Sequence, residues 1–382
     1  MTWWQKLQDN SLARLGIVIL VVLYSMALSA EFVAPYDAYS TQANGSFLPP
    51  TQVYWRSPAG QFIGPHVYPT TLGPVDLDTG ERELQTDYDQ PAPLRLFVLG
   101  TEYRYLQIKL PLPTQFSVSE PAFEDVELLP GILGRRHLFG IADSAATEAR
   151  INLLGTDEQA RDQFSRLVYG SRISLSIGLI GIAISFPLGM LVGGISGYFG
   201  GVVDAALMRI VEVLMTIPTI YLLIALAGVL PAGLSSSQRF LLIVLITSFV
   251  SWSGLARVIR GQVLSIKQRS FVRATKAMGG RSLYTIVRHV LPQTATYVII
   301  ASTLAIPGFI VAEAVLSLIG LGIQQPDPSW GNMLSLATNA SVLVLYPWLV
   351  WSPAFLIVIT VLAFNLLGDG LRDALDPRDM KN

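Results

Sequence analysis

Residues 257–295 read RVIRGQVLSIKQRSFVRATKAMGGRSLYTIVRHVLPQTA. The stretch carries eight Lys/Arg, at 257, 260, 267, 269, 273, 276, 281 and 288, and no Asp or Glu. It lies between two apolar runs, 240–256 and 296–319, each long enough to cross or nearly cross a bilayer. A short, wholly basic connection between two spans is held on the cytoplasmic side. Its apolar residues are also ordered: Leu283, Ile286, Val287, Val290 and Leu291 recur at i, i+3, i+4, i+7 and i+8, one face of a helix. Before them, 263–278 reads as a first helix, with Gly279 and Gly280 free to take the left-handed conformation that stops it. Ser282 is placed to cap a second helix, and Pro292 to end it before the next span. The expectation is a helix–turn–helix presented to the cytosol.

The surrounding composition is that of a membrane protein. Half of the 382 residues (51%) are hydrophobic and only 14% are charged, against roughly 25% in soluble domains. The charges are segregated, which is more informative than their net sum of -1. Cysteine is absent, so the chain has no disulfide, thiol nucleophile or cysteine-based metal site.

Taken in order, 1–34 is a short amphipathic start, with Lys6 and Arg14, leading into a first apolar run at 15–33. Ala27 and Ala30 have the spacing of a signal-peptide cleavage site, but the run is read as a retained span. Residues 35–150 are a different material, with frequent proline, fourteen acids against eight bases, and strand-like alternation over 95–110. They are expected to form a mainly β extracytoplasmic insertion, either a spacer or a contact surface for another protein. Residues 151–172 read as a juxtamembrane amphipathic helix, with Thr156 and Gln159 as a capping box and Phe164, Leu167 and Val168 on its apolar side.

The core, 173–368, holds five further spans, at 173–195, 213–230, 240–256, 296–319 and 349–367. Gly189, Gly193 and Gly197 form a small-residue seam in the second span, read as packing within this chain, and 197–204 as a tight turn. Pro218 interrupts the third span. Glu212, at a boundary beside Arg209, and Glu313, inside the fifth span, are the ionisable candidates for a pathway or for ties between helices. Trp330 suits an outer interface, and 369–382 is a mixed-charge cytoplasmic tail. Six spans with both termini inside agree with a cytosolic hairpin.

Three strings resemble one family. ATKAMG at 274–279 followed by HVLP at 289–292 resembles the EAA motif of permease subunits in binding-protein-dependent ABC importers, with Ala274, Gly279, Leu291 and Pro292 at matching positions. Arg273 replaces the family's Glu, Thr275 its second Ala and His289 its Ile. LLGTDEQARDQFSRLVYGSRISLS at 153–176 resembles the entry string of the C-type permease in the oligopeptide/dipeptide/nickel branch, with Ala160 where the family usually has Gly. LSLIGLGIQQPDPSWG at 316–331 resembles a third string of that branch, with Gln325 in place of a proline. The resemblance implies an all-α polytopic fold with six transmembrane helices of the type I ABC importer permease kind, to which the β insertion is added. It implies a second homologous permease, two ATPase subunits that bind ATP and Mg, an extracytoplasmic substrate-binding protein, and an inner-membrane location among lipid. It also implies that the hairpin docks on the ATPase. Ala274, Thr275, Met278 and Gly279 are assigned to that docking, and Leu283, Ile286 and Val287 to the hairpin's own packing; Arg273, Leu291 and Pro292 complete the ATPase-coupling set, with Arg273 in place of the family's Glu marking a changed partner contact.

The chemistry that is missing narrows the function further. No Gly-Lys pair occurs, so the chain has no Walker-type phosphate loop and no cofactor of its own is expected. His66, His137 and His289 lack metal-ligand spacing, and no nucleophile-elbow string occurs. A hairpin tethered to two spans is no reader of nucleic acid. The expected function is a non-enzymatic transmembrane permease that forms half of a pore for peptides or a related small solute. The alternatives are a proton-coupled carrier using Glu212 and Glu313, and a membrane-anchored sensor presenting 35–150.

Overall fold

Apolar runs of bilayer length become helices because a chain in lipid must satisfy its own backbone. The computed structural model describes residues 2–75, 82–105, 108–115, 122–142, 148–231 and 233–375. A short helix α1 (Trp3–Asp9) is capped by Thr2 and turns at Asn10 into α2 (Ser11–Leu28), the first span; α3 (Ala30–Val33) follows. Among the described residues of the insertion eight strands follow: β1 (Tyr54–Arg56), β2 (Phe62–Val67), β3 (Thr70–Val75), β4 (Arg82–Thr86), β5 (Ala92–Tyr105), β6 (Ile108–Gln115), β7 (Ala122–Leu129) and β8 (Ile132–Ile141). They make an antiparallel sheet in the order β1-β2-β5-β8 and two hairpins, β3-β4 and β6-β7. The alternation over 95–110 belongs to two strands with different partners, β5 on β8 and β6 on β7; Leu106 and Gln107 lie outside the described residues.

The helical core comprises α4 (Gln163–Phe199), α5 (Gly201–Thr216), α6 (Thr219–Gly228), α7 (Ser236–Ile266), α8 (Ser270–Ala277), α9 (Ser282–Thr285), α10 (Ala295–Leu318), α11 (Trp330–Leu334), α12 (Ala340–Leu345) and α13 (Pro347–Leu375). Among the described residues, five helices are long and apolar enough to span, and α5 with α6 makes a sixth span if counted together. That pair is bent by 87°. Pro218 forces Ile217 into extended backbone (φ -82°, ψ 125°), so the third span is broken rather than merely interrupted.

The glycine seam packs inside the chain, as expected. A Cβ at Gly189, Gly193 or Gly197 would lie 2.9, 2.4 or 2.8 Å from the carbonyl oxygens of Trp252, Ala256 and Arg260, successive turns of α7. The two backbones touch because α4 has no side chains there. The turn at 197–204 is made by Gly200 and Gly201, both left-handed (φ 68° and 54°).

Three expected elements differ. Residues 151–162 are not helical; α4 starts at Gln163 with Asp162 as its N-cap, and 163–172 are simply its first turns. Thr156 is no cap: its buried hydroxyl donates to Gly45 O and accepts from Leu48 N (2.8 Å). Leu167 and Val168 face the protein interior rather than a membrane surface. Residues 369–375 are the last turns of α13 rather than tail, and 376–382 lie outside the described residues. Trp330 is fully buried, its indole donating to Leu167 O (3.0 Å) and its backbone N–H to Ser174 Oγ (3.0 Å).

Candidate functional site

The basic hairpin forms one end of the helical core. Its first limb is not continuous: α7 ends at Ile266, a turn follows, and α8 runs on to Ala277. At the break, the Lys267 ammonium reaches back to Gly197 O (2.7 Å) and caps orphan carbonyls at the end of α4. Gly279 then adopts φ 81°, the left-handed stop its residue type allows. Gly280 N–H donates to Thr275 O (3.0 Å), and a Cβ on Gly280 would stand 2.8 Å from that oxygen and from Thr275 Cγ2. Thr275 is therefore part of the turn's own closure.

The second limb corrects the sequence reading at both ends. Its N-cap is Arg281, without a side-chain bond, and Ser282 is already the first helical residue. Pro292 does not end the limb. A wide turn over Ile286–Val290 and a tight one over Leu291–Thr294 carry it past the proline into α10. Ser282–Leu318 is thus one apolar rod of 37 residues. A widened turn before a proline is the usual way a helix makes room for the missing N–H.

Burial divides the candidate residues. Ile286 and Val290 are fully buried, and Val290 packs with Val272, Leu255, Ile259 and Val263. Ile286 and Leu291 approach Gly194 of α4, where a Cβ would meet them at 3.2 and 3.0 Å. Leu283 and Val287 lie on the other side of the limb and are exposed (60% and 51%), so they do not pack the hairpin internally. Met278 (80% exposed) and Tyr284 are further exposed apolar side chains about the tip. Arg273, Ala274, Gly279 and Pro292 are exposed as well. Apolar surface rimmed by charge is what an unfilled protein contact looks like.

The tip stands on a fixed base that the sequence did not disclose. Arg260 of α7 makes a bidentate pair with Asp204 of α5 (2.7 and 2.6 Å), and Ser196 of α4 donates to the same carboxylate. Three helices therefore meet at one aspartate. Asp204 lies 56 residues from Arg260, a separation no local pattern reveals.

Glu313 lies near the end of α10. Completely buried, it accepts hydrogen bonds from Ser317 (2.7 Å) and Ser329 (2.8 Å), and the two hydroxyls in turn accept from the backbone of Ile323 and Asn332. It thereby organises the turn after α10. Glu212 is exposed on α5 and pairs with Arg209 (3.2 Å); the two glutamates share no partner.

At the opposite end, two of the family-like strings meet. Buried Arg166 donates to Pro326 O (3.1 Å), Gln325 Oε1 (2.9 Å) and Ala38 O (3.3 Å). Asp157 holds both Arg161 (2.6 Å) and Arg166 (3.3 Å). Gln325, the departure from the proline pattern, is thus an acceptor for this guanidinium. Ala160, where the family usually has glycine, sits at φ 60°, which explains the family's preference.

The comparisons with known proteins agree with these matches. The family described as "Binding-protein-dependent transport system inner membrane component" matches residues 185–380, and the N-terminal transmembrane domain of oligopeptide transport permease C matches 2–50. The chain belongs to that family of inner-membrane transport components. It is 42% identical to the dipeptide transport permease DppC of Bacillus subtilis over 59% of this chain and 68% of that one. It is 39% identical to the oligopeptide transport permease OppC of Haemophilus influenzae over 63% and 75%. A chain of the methionine ABC transporter MetNI in an inward-facing form aligns at a TM-score of 0.41 and 20% identity, covering 55% of this chain and 97% of that one. As a family member the chain is an ABC importer permease with a helical core, and its β strands lie between the two stretches that the family models match.

Proposed function

We propose that the chain forms half of the pore of an ATP-driven peptide importer, set in an inner membrane with the hairpin and both termini in the cytoplasm. The observation that carries this is the contrast within the hairpin: an exposed apolar tip on a base tied to three helices. A surface that must take up force has to be free at the tip and fixed at the root. Two ATPase subunits, which bind the ATP and Mg, receive the tip of this chain and of a second, homologous permease. An extracytoplasmic binding protein delivers the peptide. The chain itself has no catalytic role.

The cycle is two-state. ATP draws the ATPases together, their surfaces carry the hairpins with them, and the pore turns from inward-open to outward-open. Moving such an equilibrium from 1:99 to 99:1 takes about 5.5 kcal/mol of differential binding. Arg273, Ala274, Met278 and Gly279 make the docking contact. Arg273, in place of the family's Glu, faces an acid on this ATPase. The relatives named as dipeptide and oligopeptide permeases support the substrate class. A proton relay finds no support, because Glu212 and Glu313 have separate partners.

Gly279→Pro tests the docking. Proline cannot take φ 81°, so the turn must re-form while the spans stay intact. In proteoliposomes with the partner subunits, ATP hydrolysis should continue while peptide uptake is lost. Normal uptake by this variant refutes the hairpin's role.

A further inference from the structure

The insertion contains a cavity of about 330 Å³, within the size range of small-molecule sites. Tyr54, Tyr68, Tyr88, Arg150 and Asn152 line it, and all five fall between the two stretches matched by the family profiles. Gln42, Leu48, Pro49 and Pro50, which complete the lining, belong to the matched N-terminal stretch, so the cavity sits where the insertion joins it.

One wall is aromatic. Ring centres lie 5.2 Å apart for Tyr54 and Tyr68 and 5.1 Å apart for Tyr68 and Tyr88, all edge-to-face. Tyr68 is 2% exposed and Tyr88 51%, so the wall runs from the interior to the mouth. Such a wall offers apolar area to a side chain without flexible groups to immobilise.

Two polar groups are left with unused capacity. Asn152 is 3% exposed; its backbone N–H donates to Thr51 Oγ1 (2.9 Å) and its amide nitrogen to Gln42 Oε1 (3.0 Å), but Oδ1 accepts nothing. A buried carbonyl without a donor is a standing cost that an incoming N–H removes. Arg150 donates to Thr41 O (2.8 Å) and Ser40 Oγ (3.0 Å), which leaves donors of its five free. It is the one charged side chain among the described lining residues; behind it, its guanidinium lies 4.0 Å over the Tyr36 ring and close enough to the buried Asp162 carboxylate to be attracted by it.

We propose that this cavity binds the carboxyl-terminal end of a short free peptide. The carboxylate pairs with Arg150, the last amide N–H donates to Asn152 Oδ1, and the terminal side chain rests on the tyrosine wall. The inference rests on the reading of the chain as a peptide permease, and adds a contact for substrate outside the membrane. A neutral sugar would also stack on tyrosine but has no use for Arg150.

The test uses the full chain in nanodiscs, without ATPase or binding protein, titrated calorimetrically with the tripeptide Ala-Leu-Leu and with its C-terminal amide. The free acid should bind at least about tenfold more tightly than the amide, the discrimination expected of a charge-assisted hydrogen bond. Arg150→Gln should abolish that preference, and Tyr88→Ala, at the exposed mouth, should weaken both forms alike. Maltotriose should not compete. Equal binding of acid and amide, competition by maltotriose, or indifference to Tyr88→Ala overturns the proposal. A chain that supports ATP-driven peptide uptake with its partners, yet binds no tripeptide alone, sinks the cavity and leaves the permease reading intact. Tripeptide binding without peptide uptake supports the cavity and counts against the permease's proposed substrate.

Discussion

Asp162 shows how a single residue can be held under tension by its place in the chain. It is the N-cap of α4, accepting from Ser165 N–H (2.7 Å), yet it is 2% exposed and its Oδ1 has no partner. Burial pushes its carboxyl from 3.8 up to about 6, and the hydrogen bond from Ser165 offsets only part of this. The folded state thus prefers the protonated acid. This group's contribution to stability is complete below pH 3.8 and is lost as the pH rises through about 6. At about 1.4 kcal/mol per tenfold change in proton affinity, ionisation at neutral pH costs about 3 kcal/mol. Asp162→Asn keeps a cap acceptor and removes the charge. The variant should unfold at a higher temperature than the parent at pH 7.5, with the gap closing towards pH 4. A gap that does not change with pH would discard this account.

Among the elements, α4 and α7 depend on one another through absent side chains. Gly193→Ala puts a Cβ 2.4 Å from Ala256 O, so the helices must part, at a cost of about 1–3 kcal/mol. Gly228→Ala, where the added carbon meets nothing within 4 Å, is the control. Thermal unfolding in detergent should separate the two; equal behaviour would mean the seam is not what joins the helices. This seam was legible in the sequence because its spacing of four is local, and so were the spans and the left-handed stop at Gly279. The failures share a cause. Thr156 with Gln159 has the letters of a capping box, but Thr156 is engaged by Leu48 and Gly45, over a hundred residues away. Trp330 has the letters of an interfacial anchor, but its indole finds Leu167 O, 163 residues back. The apolar stripe on the second limb was real, but periodicity does not say that only Ile286, Val290 and Leu291 of it meet a neighbour. Asp204 and Arg260 lacked any signal at all, being an ordinary acid and base until the fold brings them together.

The whole molecule has two polar ends that the proposed topology sets on opposite sides of a membrane. The absence of native cysteine makes this directly measurable. Met278→Cys at the hairpin tip and Phe62→Cys in the insertion sit at exposed positions (80% and 71%). An impermeant thiol reagent applied to spheroplasts should label the second at once and the first only after permeabilisation. The reverse pattern would turn the protein over and remove the ATPase from the hairpin.

The second limb of that hairpin also has a bearing on how the two ends communicate. It passes Pro292 without stopping and continues to Leu318, and Glu313 near its far end grips the turn that carries Pro326 and Ser329. A displacement imposed at Met278 therefore need not be relayed from side chain to side chain. In the proposed transport cycle it travels along one continuous helical limb, from the docked tip to the turn whose Pro326 carbonyl accepts from Arg166.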